Sequence, residues 1–192
     1  LERIGGAYSR ILDYKVIYTQ ESFIAESAES LAWSGVQAIL LAAAVLVFFL
    51  GSFANAGISG VSMPVSFIAT FAAMRLFGVN LNIMSLAGLS VSIGMIVDNS
   101  VVVLENIHRL RVLGAGVRES AEKGASQVGT AVTASTITTV AAFIPMLFVK
   151  GMTGQIFRDL SITISSAILI SLFVSLTLIP LLATLPRSVV RK

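Results

Sequence analysis

Asp98 is the residue whose type and place ask for chemistry. It stands in the run Gly94-Met95-Ile96-Val97-Asp98-Asn99-Ser100-Val101, inside an apolar stretch that offers no cation to pair with it. Counted at ~1.5 Å per residue, it lies ~24 Å along a helix from Asn82 and ~15 Å from His108, the two polar ends of that stretch. Asp98 therefore falls at hydrocarbon depth, where an ionisable group costs at least ~2.5–3.5 kcal/mol on insertion scales. Acids in such places mark ion and proton paths. Burial disfavours the charged form of a carboxylate, which suits a group that gains and loses a proton. A proton crossing the membrane potential releases ~2.3 kcal/mol per 100 mV, enough to bias a conformational cycle. The alternative is a structural Asp, held protonated by hydrogen bonds.

Two neighbours complete the candidate relay. Asn99 can donate and accept hydrogen bonds but cannot titrate, so it either orients Asp98 or bonds a neighbouring helix. Glu105 lies two turns further along the same face, ~10 Å away. It is either a relay station or a wetted acid at the helix end near Arg109. The hydroxyls from Thr130 to Thr139 could line a polar path, although such hydroxyls more often bond their own backbone or the next helix. His108 is the only histidine and reads as a solvated loop residue. Without acids or thiols around it, it makes no metal site. No cofactor is called for, since a proton gradient supplies the energy. Enzyme chemistry finds no support: there is no second deep acid for intramembrane proteolysis, no Gly-x-Ser-x-Gly elbow and no phosphate-cradling Gly-Lys-Ser/Thr loop.

These residues need spans to hold them. With 56% hydrophobic and 12% charged residues in 192, the chain lacks the polar surface of a water-soluble domain. The length allows about five spans of ~20 residues. The absence of cysteine excludes a disulfide framework and thiolate metal sites. The fold expected is all-α and integral to the membrane, a five-helix transmembrane bundle preceded by one strand and an interfacial amphipathic helix. The strand is Leu12–Tyr18, within a segment 1–21 that reads as the end of a soluble domain lying upstream. Residues 22–35 carry Phe23, Ile24, Ala28 and Leu31 at helical spacing among Glu26 and Glu29, with Trp33 as interfacial anchor. Residues 36–185 hold the spans, at Val36–Leu50, Ile58–Phe77, the Asp98 helix, about Val128–Val149 and Leu160–Leu182. They are joined by a turn at Gly51–Gly57, an exit at Gly78–Asn80, a basic connection at 108–126 broken at Gly114 and Gly116, and a glycine-hinged loop at Lys150–Asp159. Pro64, Pro145 and Pro180 lie within spans, where neighbours can satisfy the freed carbonyls. Residues 186–192 read as the start of a further basic loop. The chain is thus expected to be a piece of a longer polypeptide.

Alternate loops fall on alternate sides. One side collects Arg109, Arg111, Arg118, Lys123, Arg187, Arg191 and Lys192; the other holds Arg75, Lys150 and Arg158. The positive-inside rule makes the first side cytoplasmic and puts the N-terminal strand outside.

The run from Gly94 to Ile107 closely resembles the signature of the fourth transmembrane helix of resistance–nodulation–division (RND) efflux permeases. Ile17–Ser27 resembles that family's junction between porter domain and second span. Phe143-Ile144-Pro145-Met146, with Gly151, Gly154 and Phe157–Thr163, resembles its fifth-to-sixth span junction. The resemblance implies spans two to six of a twelve-helix membrane domain, in a homotrimeric proton/substrate antiporter of the bacterial inner membrane. It also implies a periplasmic adaptor and an outer-membrane channel as possible partners, with membrane lipid around it and no nucleic acid. In the hydrophobe/amphiphile branch two adjacent acids commonly occupy the positions of Asp98 and Asn99. Here the second is Asn, which leaves one titratable group in this half. Heavy-metal members tend to carry further acids upstream, and Val91, Ser92 and Gly94 do not match them, so the drug-type branch is favoured. A lysine from the second half is implied to face Asp98. The rival readings are a protein-export accessory of the SecD/SecF kind, against which the Glu-Asn-Ile tail argues, and a non-transporting lipid-sensing scaffold.

Overall fold

The computed structural model describes residues 20–51 and 53–185. The expected strand at Leu12–Tyr18 and the basic stretch 186–192 lie outside them. Five long helices follow one another: α1 Gln20–Leu50, α2 Phe53–Leu76, α3 Ile83–Val112, α4 Val117–Phe143 and α5 Met152–Thr184, with a 3₁₀ turn at Ile144–Phe148 closing α4. All five are long and apolar enough to cross a membrane. No strand occurs among the described residues.

Apolar composition makes these helices, and polar caps end them. Asn82 starts α3: its Oδ1 accepts from the Met84 and Ser85 amides at 2.9 Å, while Ser85 Oγ accepts from the Asn82 amide at 2.8 Å. These reciprocal bonds meet three of the four donors that a helix start leaves open. Gly151, at φ 86°, turns the chain into α5 in a conformation that side chains avoid. Gly154, one turn on, lies against the Val149 carbonyl, where a β-carbon has no room.

The helices are longer than the sequence pattern suggests, and the connections shorter. Segment 22–35 and the first span form one unbroken helix. The turn expected through Gly57 ends at Phe53, and most of the loop expected at Lys150–Asp159 is the first two turns of α5. Within the 108–126 connection only residues 113–116 leave the helix. Polar and glycine residues at span ends look like breakers in the sequence, but one turn of helix beyond the hydrocarbon satisfies its own backbone and costs little. Pro64 and Pro180 sit inside unbroken helices, whereas Pro145 coincides with the change from α to 3₁₀ geometry.

α3 is the hub. It touches each of the other four helices, and most extensively α5. At the His108 end Leu46, Val103, Leu104, Ile107, Ala121, Ala125 and Ile179 pack into one cluster. At the Asn82 end Leu31, Met74, Val79, Leu86 and Leu89 form another. Between them small hydroxyl residues let the backbones close up: Ser59, Ser62, Ser66 and Thr70 on α2, Ser92 on α3, and Thr163, Ser171 and Ser175 on α5 are all buried. Ser171 Oγ crosses to the Ile96 carbonyl at 2.8 Å, while Ser62, Ser66 and Thr70 donate to carbonyls of their own helix. The outward faces carry large apolar side chains such as Phe48, Phe53, Ile68 and Phe173, as lipid requires.

Candidate functional site

α3 presents two faces that alternate in character. Ser85, Ser92, Asn99 and Asn106 recur every seven residues and turn inward; Val91, Asp98, Glu105 and Val112 recur with the same period and turn out of the bundle. Seven residues are just short of two full turns, so each set makes one slowly drifting stripe.

Asp98 stands at the middle of the outward stripe, about 22 Å from Ile83 and 21 Å from Val112 along the axis. Its side chain is exposed on the five-helix bundle, and among the described residues nothing donates to its carboxylate. Gly94 and Ser90, one and two turns before it, are exposed on the same face. No ionisable residue follows Glu29 in α1, precedes Arg75 in α2, follows Lys123 in α4 or follows Asp159 in α5. Asp98 is therefore the deepest charge-bearing group of the described helices.

Asn99 parts company with it. Successive helix positions are turned by about 100°, and the Asn99 amide donates across to Thr136 Oγ1 on α4 at 3.4 Å, a long bond. Thr136 is buried. Of the two readings of Asn99, bonding to a neighbouring helix matches this geometry. The remaining α4 hydroxyls follow the packing reading where their bonds are seen: Thr138 and Thr139 donate to the carbonyls of Ala134 and Ser135, on their own helix.

Glu105 shares the Asp98 face and is exposed. It lines an open cavity of about 600 Å³ together with Val45, Val101, His108 and Arg109. Val101 lies three residues from Asp98, a rise of ~4.5 Å, so the cavity climbs α3 to within a turn of the acid.

His108 corrects the sequence reading. It belongs to the last turns of α3, is half-buried, and its Nδ1 meets Asn55 Nδ2 on α2 at 3.2 Å. Asn106, which was not singled out, is the best-connected side chain of this end. Its Nδ2 donates to the Gly124 carbonyl (2.8 Å) and Gln127 Oε1 (3.1 Å) on α4, while its Oδ1 accepts from Arg109 Nε (3.1 Å) and an Arg109 terminal nitrogen (2.8 Å). Arg111 donates to Ser120 Oγ at 3.1 Å and to the Ala183 carbonyl near the end of α5. At the opposite end Asn82 Nδ2 donates to Asp159 Oδ2 at 2.6 Å, joining the start of α3 to α5. The seven-residue recurrence of Ser85, Ser92, Asn99 and Asn106 was the signal that would have picked out the inward stripe. The exposed pairs Lys123–Glu119 (2.7 Å) and Arg118–Glu122 (2.8 Å) line the first turns of α4 and are worth little there. No cluster of His, Cys, Asp or Glu among the described residues can hold a metal.

Comparison with known proteins gives one consistent relationship. The profile of the AcrB/AcrD/AcrF family matches residues 1–186. The multidrug resistance protein MdtC of Pectobacterium carotovorum is 41% identical over 175 residues, covering 91% of this chain and 17% of the relative. MdtC of Proteus mirabilis is 48% identical over 125 residues, covering 65% of this chain and 12% of the relative. MdtC of Pantoea ananatis is 40% identical over 171 residues, with 89% and 17% covered. The chain thus spans between about an eighth and a sixth of the length of these relatives. It belongs to the AcrB/AcrD/AcrF family of RND efflux permeases.

Proposed function

We propose that this chain is part of the membrane domain of a proton-driven multidrug efflux antiporter, in which Asp98 takes up a proton from one side of the membrane and releases it to the other. The observation that carries the reading is a single acid, at mid-span on the hub helix, unpartnered among the described residues and facing out of the bundle. A carboxylate so placed is tolerated when it is protonated, or when a cation from outside these helices approaches it. Alternation between the two conditions couples proton binding to the approach and withdrawal of that partner, for which a lysine of the second half is the candidate. Glu105 and the cavity it lines give the proton a wetted way out, one turn from Asp98. Asn99 fixes the rotation of α3 against α4 through Thr136 and does not titrate.

In this reading the permease is a homotrimer of the bacterial inner membrane, working with a periplasmic adaptor and an outer-membrane channel. The Asn82 end of the bundle is periplasmic and the Arg109–Lys123 end cytoplasmic, because the second carries more basic residues. The test is Asp98→Asn in the full-length permease reconstituted in proteoliposomes. Substrate-dependent proton uptake should vanish while expression and trimer formation persist; unimpaired antiport would remove the mechanism.

A further inference from the structure

His108 has no part in that scheme, yet it stands where a proton would leave. The cavity that climbs α3 past Val101 and Glu105 ends at His108 and Val112. A second cavity, of about 670 Å³, starts from the same two residues and opens among Arg111, Ala115 and Thr184 at the ends of α3 and α5. His108 and Val112 are thus the residues that the two cavities share. Of the pair, only the imidazole can exchange a proton. Along α3, Glu105 lies ~10 Å beyond Asp98 and His108 ~4.5 Å further; at ~100° per residue the three fall within about 80° of one another around the axis. They make one line of proton-exchanging groups from mid-span to the helix end.

The ring is also tied to α2. Asn55, buried near the start of that helix, brings its Nδ2 to 3.2 Å from His108 Nδ1. In this setting Nδ1 is bare and accepts, so Nε2 holds the hydrogen and the neutral ring has no open nitrogen. An amide also offers an oxygen. With Oδ1 turned to Nδ1, the hydrogen sits on Nδ1 and Nε2 is bare. A proton from the first cavity then binds Nε2 to give the imidazolium. The same N–H bond breaks to deliver it to water in the second cavity, so one proton enters and one leaves. Glu105, Arg109 and Arg111 lie within one turn of the ring on α3, while α1, α4 and α5 bring no charged residue to either cavity.

We propose that His108 is the proton-exit residue of the permease, passing the proton from the Glu105 cavity to the cavity at the helix end, and that the Asn55 amide gates it. The arrangement with Nδ2 on Nδ1 is the closed setting. The proposal rests on Asp98 being the proton carrier. It adds that release is coupled to α2, because the ring cannot take up a proton at Nε2 until an α2 side chain turns. Histidine suits the task, since its ordinary charge change falls between about pH 5 and 8.

The experiment uses the full-length permease in proteoliposomes and measures substrate-driven proton flux. His108→Gln keeps a hydrogen-bonding partner for Asn55 but exchanges no proton. Its maximal flux should fall at least about tenfold, short of the roughly hundred- to ten-thousandfold that positioned proton-transfer groups supply, because water in an open cavity gives a slower bypass. Substrate KM and trimer formation should stay as in the wild type. Imidazole added on the His108 side of the membrane should restore the flux, which a purely structural role would not allow. Wild-type flux in His108→Gln overturns the proposal, and so does a slow variant that imidazole leaves slow. Should His108→Gln not assemble, the imidazole dependence of His108→Ala decides in the same way. Asp98→Asn, run alongside, separates the two readings. Antiport intact in Asp98→Asn removes the proton path and this exit with it, whereas antiport lost there but unaltered in His108→Gln removes the exit alone.

Discussion

Asn106 shows what one side chain can hold together in a bundle where the lipid offers no hydrogen bonds. It is buried, and its amide serves α4 through both Gly124 and Gln127 while its oxygen receives Arg109. Asn106→Ala strips a buried carbonyl and a guanidinium of partners at once. A cost of about 1–3 kcal/mol is expected, the usual range for buried polar groups left unmatched. Thermal unfolding of the full-length protein in detergent should show the loss as a lowered midpoint. An unchanged midpoint would mean that water replaces the side chain without penalty. Asp98 was legible because it breaks an apolar run by type alone: an Asp with 15 uncharged residues before it in α3 stands out in any sequence. Asn106 and His108 were not. His108 falls in the 108–126 connection that reads as a loop, and Asn106 lies in the last turn of the helix run before it; only the packing of the helices turns them onto α2 and α4. Composition cannot distinguish a polar residue that caps a span from one that locks it.

At the scale of the helices, the number and order of the spans follow from hydropathy, because the bilayer sets one length for every crossing. Which helix lies against which does not, since the outward and inward faces of a span are both apolar. The contacts are decided by small residues. Gly124 illustrates this: a β-carbon there would come within 2.7 Å of Ile107 Cγ1 and 2.8 Å of its Cα, so α3 and α4 cross with backbone nearly touching. Asn106 can reach the Gly124 carbonyl because of that closeness. Gly124→Val should force the helices apart, with an overpacking cost of about 1–3 kcal/mol, and should loosen the Asn106 bonds with it. Disulfide trapping between cysteines at Val103 and Val128, which pack in one cluster on α3 and α4 one turn from the Ile107–Gly124 contact, would report the separation as a fall in yield. An undiminished yield would show that the crossing tolerates a side chain. The glycines at 114 and 151 are different, being turns at positive φ with nothing near a β-carbon. Glycine in this chain thus has two uses that its sequence context does not separate.

For the molecule as a whole, the question is what faces the Asp98 stripe. An isolated five-helix bundle turns Ser90, Gly94 and Asp98 outward along the middle of its central helix, while its other outward faces carry Phe48, Ile68 and Phe173. Lipid suits the aromatic and branched faces. It does not suit a strip of small side chains with a carboxylate, whose natural neighbour is another helix able to approach closely. Gly94 offers a way to ask. A β-carbon there meets nothing within 4 Å in the bundle, so Gly94→Leu should leave the packing of these five helices intact. If a helix from the remainder of the permease lies on the strip, the leucine wedges against it. Overpacking of a close helix contact costs about 1–3 kcal/mol, and the wedge would also hold any cationic partner away from Asp98. The full-length variant should then show a lowered unfolding midpoint and a loss of transport together. Phe173→Leu, a change on an outward apolar face, should show neither. If Gly94→Leu melts and transports like the wild type, the strip looks onto lipid. A carboxylate there would have no partner to exchange for its proton, and the coupling assigned to Asp98 would have to be sought on another helix.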